Sequence, residues 1–217
     1  MLRGVVFDMD GVIIDSHAAH RSAWKKFLES ECRETRDEDL DFILDGHKRE
    51  EILRHFFGEL APEQIVEYGN RKNELLREHG EEIKPIAGVM EFLAHLRQAG
   101  IRTAVATSAS HRRAYSTLEK LGLIGCFHTV VTGDEVIAGK PDPAIYRLAT
   151  EYMQESPQHL LAVEDAVSGV KSARAAGMRC LGIANQGRAG MLRDAGAELV
   201  LPDFRSLSFD KLQDCFS

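Results

Sequence analysis

The chain has 217 residues, 44% hydrophobic and 28% charged, with a formal net charge of −7. That is the balance of a globular protein with one good core and room for a smaller second unit. The negative charge argues against nucleic acid and anionic membrane as main partners, although a local positive patch could still hold a small anionic substrate.

The first element is Val5-Val6-Phe7-Asp8-Met9-Asp10-Gly11, apolar and β-favouring until it ends in two aspartates. Residues i and i+2 of an extended chain share a side, so Asp8 and Asp10 leave the strand together. Gly11 lets the chain turn behind them. Two close carboxylates favour a cation or a shared proton. These seven residues alone favour the plainer reading, a strand followed by an Asp-Gly turn.

The period then changes. His20, Ala23, Trp24, Phe27 and Leu28 form the apolar stripe of a helix. Leu40, Ile43 and Leu44 make a second stripe, and Ile52, Leu53, Phe56 and Phe57 a third. Pro62 opens a longer helix reaching about His79. Nothing strand-like falls between residues 16 and 83, so residues 16–83 read as a helical block inserted after the first strand. Pro85 and Gly88 mark the return. Residues 1–15 and 84–217 then form the α/β core.

From there helix and strand alternate. Val89, Phe92, Leu93 and Leu96 make a helix stopped by Gly100. Strands are expected over 101–106, 129–132, 160–163, 179–184 and 198–201. Helices come between the earlier ones: Tyr115, Leu118 and Leu121 before Gly122; Ile145 to Tyr152 behind Asp142 and Pro143; and Val167 to Ala176. The last residues, to Ser217, read as an edge strand and closing helix. Apolar runs this continuous imply a Rossmann-like parallel sheet covered on both faces. Ligands of such folds sit outside the carboxyl ends of the strands.

Four groups stand at those ends: Asp8 and Asp10; Ser108-Ala109-Ser110; Gly139-Lys140-Pro141; and Glu164-Asp165. Up to four carboxylates against one lysine call for a hard divalent cation, and all-oxygen ligands favour Mg²⁺. Ser108 and the amides after it sit at a helix N-terminus, which suits phosphate. Lys140 supplies a point charge. Alone, Ser108 would be a helix cap, Lys140 solvated, and Glu164-Asp165 a helix start. Their recurrence at successive strand ends argues for one site. The cysteines (Cys32, Cys126, Cys180, Cys215) are scattered and read as reduced thiols. With no long apolar run and no room for a signal peptide before the first strand, a cytoplasmic location is expected. A monomer is expected, with a dimer left open.

Taken together, D-x-D-G at Asp8 to Gly11, Ser108, G-K-P-D-P at Gly139 to Pro143 and E-D-x-x-x-G at Glu164 to Gly169 resemble the haloacid dehalogenase superfamily of phosphotransferases. The insert resembles the helical cap of its β-phosphoglucomutase-like branch. The resemblance implies that Asp8 is a nucleophile forming an aspartyl phosphate, and Asp10 the general acid/base. Mg²⁺ would be held by Asp8, the Asp10 carbonyl and Asp165, with Glu164 as ligand or just behind. Ser108, the Ala109 amide and Lys140 would hold phosphoryl oxygens.

Substrate choice should lie in the insert. His20, Trp24 and Arg49 have counterparts in β-phosphoglucomutases, where the arginine grips a distal phosphate, and Gly46 joins the implied substrate set from the polar loop before Arg49. Trp24 and His20 also fit a packed helix face. Ser110 and Arg112 complete the implied substrate set, although the pairs Arg71-Lys72 and Arg112-Arg113 read mainly as solvated faces, and His17 as a surface residue. Asp45 stands where the mutases carry lysine, and His111-Arg112 where they carry Lys-Asn. Fewer cations favour hydrolysis over mutation. The resulting expectation is a Mg²⁺-dependent phosphatase acting on a small phosphorylated metabolite such as a sugar phosphate. A β-phosphoglucomutase-type mutase is the alternative, and a non-catalytic phospho-aspartate sensor a more distant one.

Overall fold

The computed structural model describes residues 1–78, 83–205, 207 and 212. Six parallel strands form the central sheet: β1 (Gly4–Phe7), β4 (Arg102–Thr107), β5 (Thr129–Thr132), β6 (Leu160–Glu164), β7 (Arg179–Ile183) and β8 (Leu199–Leu201). Their order is β5-β4-β1-β6-β7-β8. The first strand thus lies in the middle, with Phe7 in register with Val105 on one side and Val163 on the other. Every residue of β1 and β6 is buried, as two-sided coverage of a parallel sheet requires.

One face is covered by α5 (Val89–Gln98) and α6 (His111–Lys120), the other by α7 (Ala144–Met153), α8 (Val167–Ala175) and α9 (Gln186–Asp194). Phe7 anchors the first face, with Phe92, Phe127 and Phe204 all about 6 Å away by ring centroid. The Ala144 amide donates to Asp142 Oδ1 at 2.9 Å, the cap expected at that helix start. Sequence patterning did not reveal α9. Gly187 and Gly190 weaken its helical propensity, and only Ala189 and Leu192 are buried on it.

Between β1 and α5 the chain makes a short ladder, β2 (Ile14–Asp15) paired antiparallel with β3 (Lys84–Pro85). The ladder brackets four helices: α1 (His17–Ser30), α2 (Asp37–Ile43), α3 (Arg49–Phe57) and α4 (Pro62–Glu78). These helices close around their own apolar cluster of Trp24, Phe27, Leu28, Leu40, Ile43, Ile52, Leu53 and Ile65. His79, the expected end of α4, lies outside the described residues, as does most of the expected closing helix, with Cys215. Cys32, Cys126 and Cys180 are free thiols. Among the described residues no helix is long and apolar enough to cross a membrane.

Candidate active site

The carboxyl ends of β1, β4 and β6 open into a cavity of about 110 Å³, roofed by α1, α3, α4 and the loop Gly46–Lys48. Asp8, Asp10, Ser108, Ala109, Ser110, Glu164 and Asp165 line it from the sheet side; His20, Trp24, Gly46 and Arg49 line it from the roof.

The floor is a buried acidic cluster. Lys140, 1% exposed, donates to Asp8 Oδ1 and to Glu164 Oε1, both at 2.6 Å, and to the Ala106 carbonyl at 3.2 Å. Tyr146 donates its hydroxyl to the same Glu164 oxygen at 2.6 Å. Burial, then the neighbouring carboxylates against Lys140, raises Asp8 well above the ordinary carboxylate value. Against burial, Asp8 and Glu164 hold the Lys140 ammonium above its usual value.

Oxygens of Asp8, Glu164 and Asp165 all lie within 4.8 Å of one another. Asp165 Oδ2 is buried with no hydrogen-bond partner, although His17 Nε2 approaches it at 2.9 Å. Three buried carboxylates with oxygens this close, served by one lysine and a flanking histidine, are the donor set of a hard divalent cation. The residues present therefore fit Mg²⁺. Gly11 keeps this corner open: its φ is +76°, and a Cβ there would lie 2.2 Å from Asp165 Oδ2.

Asp10 lies outside the cluster, in a different environment. Ser16 donates to its Oδ1 at 2.6 Å, and Arg113 grips it with both terminal nitrogens, Nη1 to Oδ1 at 3.1 Å and Nη2 to Oδ2. His20 completes the shell. Lys72 Nζ lies 2.9 Å from His20 Nδ1, and His20 Nε2 lies 3.3 Å from both Asp10 Oδ1 and Arg113 Nη1. Burial, then Lys72, pushes His20 down to about 3. Against burial, Arg113 and His20 hold Asp10 well below the usual range. Burial, then Arg113, lowers Lys72 well below its usual value.

Lys72 and Arg113 are where the sequence reading goes wrong. Both were assigned to solvated faces. Lys72 is 4% exposed and stands 5.2 Å over the Trp24 ring; Arg113 enters the cavity. Arg112, given a substrate role instead, is exposed and outside the cavity. The signal for Lys72 was present: it follows Ile65 and Tyr68 by seven and four residues, on the buried face of α4. Arg113 sits in the first turn of α6, which points at the strand ends. His17, also taken as a surface residue, is half-buried against Asp165.

The implied phosphate cradle is already engaged. Ser108 donates its hydroxyl to the Gly46 carbonyl at 2.7 Å, the Ala109 amide donates to Thr107 Oγ1 at 3.1 Å, and the His111 amide to Asp134 Oδ2 at 2.8 Å. Ser110 is the N-cap residue of α6. Trp24 belongs to the apolar cluster of the four helices and shows one edge to the cavity. The Arg49 side chain lies on Gly69, where a Cβ would be 2.4 Å away, with its buried Nε unpartnered. Asp45, the position that departs from the mutases, ties the roof to the core: Val167 N donates to its Oδ1 at 2.9 Å and the Ser168 hydroxyl to its carbonyl. Lys48 Nζ adds a bond to the Val136 carbonyl at 2.8 Å.

A parallel sheet that gathers carboxylates, a hydroxyl and a buried lysine at one edge, roofed by inserted helices, defines a capped α/β enzyme. The chain belongs to the haloacid dehalogenase-like hydrolase family, whose model matches residues 5–183. It is 34% identical over 209 residues to a phosphorylated carbohydrates phosphatase of Thermotoga maritima, covering 93% of this chain and 95% of that one. It is 30% identical over 222 residues to the β-phosphoglucomutase of Bacillus subtilis, covering 98% and 95%. Its fold matches a β-phosphoglucomutase structure from Clostridium difficile with a TM-score of 0.87 at 21% identity, covering 100% and 97%. Relatives of both kinds handle phosphorylated sugars, one by hydrolysis and the other by mutation.

Proposed function

We propose that this chain is a Mg²⁺-dependent phosphatase of small phosphorylated sugars, working through an aspartyl phosphate on Asp8. The observation that carries the reading is the split between the two aspartates. Asp8 sits in the cation-fit cluster with Lys140, and Asp10 is held apart by donors at the mouth of the same cavity. As the site stands the directions oppose these roles, Asp8 raised and Asp10 lowered; a cation on the Asp8 cluster would favour the Asp8 carboxylate, and release from Arg113 would let Asp10 hold a proton.

In the first half-reaction an Asp8 oxygen forms a bond to phosphorus as the bond to the sugar oxygen breaks. Asp10 gives that leaving oxygen its proton. In the second, water attacks the phosphorus, Asp10 takes the water's proton, and the Asp8–phosphorus bond breaks to release phosphate. Asp8, Asp165 and the Asp10 carbonyl would hold Mg²⁺, with Glu164 beside them, and the ion would supply neutralising charge for the phosphoryl oxygens. Lys140 keeps Asp8 oriented and offers the same oxygens its ammonium. Ser108 would exchange its bond to Gly46 for one to phosphate as the roof lifts and resettles, with hinges at the β2–β3 ladder. In this reading residues 16–83 are the cap.

A mutase is the second reading, favoured by one observation. Lys72 and Arg113 join Arg49 at the cavity, so a shortage of cations no longer argues against a bisphosphate. Support for hydrolysis comes from the phosphatase relative and from Asp45, which makes roof contacts where the mutases carry lysine. The deciding experiment supplies Mg²⁺, β-glucose 1-phosphate and a trace of the 1,6-bisphosphate. Free phosphate as the product supports the phosphatase; glucose 6-phosphate without free phosphate would overturn it in favour of the mutase. Asp8→Asn should abolish turnover while the thermal midpoint holds, and retained activity would remove Asp8 as nucleophile.

A further inference from the structure

We infer that Arg113 is a specificity residue: its guanidinium is the receptor for a second anionic group on the substrate, and Asp10 fills it when that group is absent. This rests on the phosphomonoester reading above and names the class of ester, one carrying a carboxylate or second phosphate at its far end.

The argument starts from the fork. A guanidinium with both terminal nitrogens on one carboxylate makes the planar, two-point contact that also recognises a ligand carboxylate or phosphate. Here the partner is Asp10, the group that must turn to the leaving oxygen during reaction. While gripped, Asp10 faces Arg113 and Ser16. The grip therefore has to loosen, and a replacement anion loosens it at little electrostatic cost.

The surroundings call for such an anion. Arg49, Lys72 and Arg113 all line the cavity that Asp10 lines. Arg49 leaves its buried Nε unpartnered, and its closest anion is the flanking Glu50 at 3.5 Å. Lys72 donates only to a neutral histidine among its described bonds. Arg113 also comes within 3.3 Å of His20 Nε2, and an imidazole gives it no negative charge. Among the described contacts, then, Asp10 serves Arg113 and Glu50 serves Arg49, two carboxylates against three basic side chains. A substrate with a second anion would balance them and free Asp10; a substrate with a neutral far end would leave Arg113 on Asp10.

The test uses matched esters that differ only at the far end: 6-phosphogluconate against glucitol 6-phosphate, and 3-phosphoglycerate against glycerol 3-phosphate. Wild-type enzyme should favour the carboxylate member of at least one pair in kcat/KM. Arg113→Gln should shrink that preference about 10- to 100-fold, the range of a lost bond to a charged group, mainly through KM of the carboxylate member. Arg113→Lys, which keeps the charge but loses the fork, should recover only part, and it carries the same test if the glutamine variant fails to fold. A merely structural arginine would lower both members together and leave the ratio unmoved. An unmoved ratio, or no wild-type preference in either pair, overturns the inference while the phosphatase reading stands. Hydrolysis of none of the four esters would remove the phosphatase reading and this inference with it.

Discussion

Replacing Lys140 with methionine tests the charge balance under Asp8. The ammonium is 1% exposed and holds Asp8 and Glu164 at 2.6 Å each. Methionine keeps much of the volume and removes the charge, leaving three buried carboxylates uncompensated. Breaking a buried pair by removing one partner costs about 3–5 kcal/mol. For a chain of this length that is a fall of roughly 6–20 °C in thermal midpoint. The pH dependence has a definite sign. Burial and like charges raise the folded pKa of Asp8, and Lys140 is the lowering influence among its neighbours. Without it the folded values of Asp8 and Glu164 climb further. A carboxylate raised on folding contributes stability below its unfolded value and loses it as pH rises through the folded value. The variant's deficit should thus be largest near pH 7.5 and shrink toward pH 5. Urea titrations of both proteins by circular dichroism, at both pH values, measure it. Added Mg²⁺ should raise the variant's midpoint more than the wild type's, because the cation takes the same carboxylates. A deficit below about 1 kcal/mol, or one that grows as the pH falls, would refute the reasoning.

Two further substitutions probe the neighbours. Burial and Lys72 hold His20 at about 3, below its unfolded value; its contribution is present above pH 6.5 and is lost as the pH falls toward 3. Between about pH 7.5 and 5 the wild type should lose about 2 kcal/mol more than His20→Gln, and parallel urea curves would show that His20 is not held neutral. Gly169→Ala would put a Cβ 2.1 Å from the Glu164 carboxyl carbon. Overpacking there should cost about 1–3 kcal/mol and weaken the thermal protection given by Mg²⁺; an unchanged Mg²⁺ response would separate Glu164 from the cation.

The sheet and its acidic edge were legible because their signals are local. A central parallel strand must be apolar throughout, so Val5 to Phe7 announces itself, and an abrupt Asp8 marks where it ends. The inserted helices were legible for the same reason, since residues 16–78 change period and never change back. The outer shell of the site was not legible, because its signal is a difference between two faces of a helix. Lys72 beside Arg71 looks like a solvated pair, yet Lys72 lies in register with Ile65 and Tyr68 while Arg71 stacks outside on Tyr68 and Phe27. Arg113 beside Arg112 repeats the case at the start of α6. Contacts such as Asp45 to Val167, 122 residues apart, have no local signature at all.

The site's charges fall into two shells of opposite sign. In the inner shell Asp8, Glu164 and Asp165 outnumber Lys140, an excess that a divalent cation would neutralise. In the outer shell Arg49, Lys72 and Arg113 outnumber Asp10 and Glu50, an excess that an anionic substrate group would neutralise. Neither shell is balanced by the protein alone, and each imbalance disfavours its own buried charges, as the raised Asp8 and the lowered Lys72 both register. Ion and substrate would relieve the two together, because a phosphoryl group between the shells faces positive charge on both sides. Roof contacts such as Asp45 to α8 would then be strongest when both shells are filled. Closure and charge balance would be one event, and a substrate lacking the outer anion would give a looser roof over the same inner chemistry.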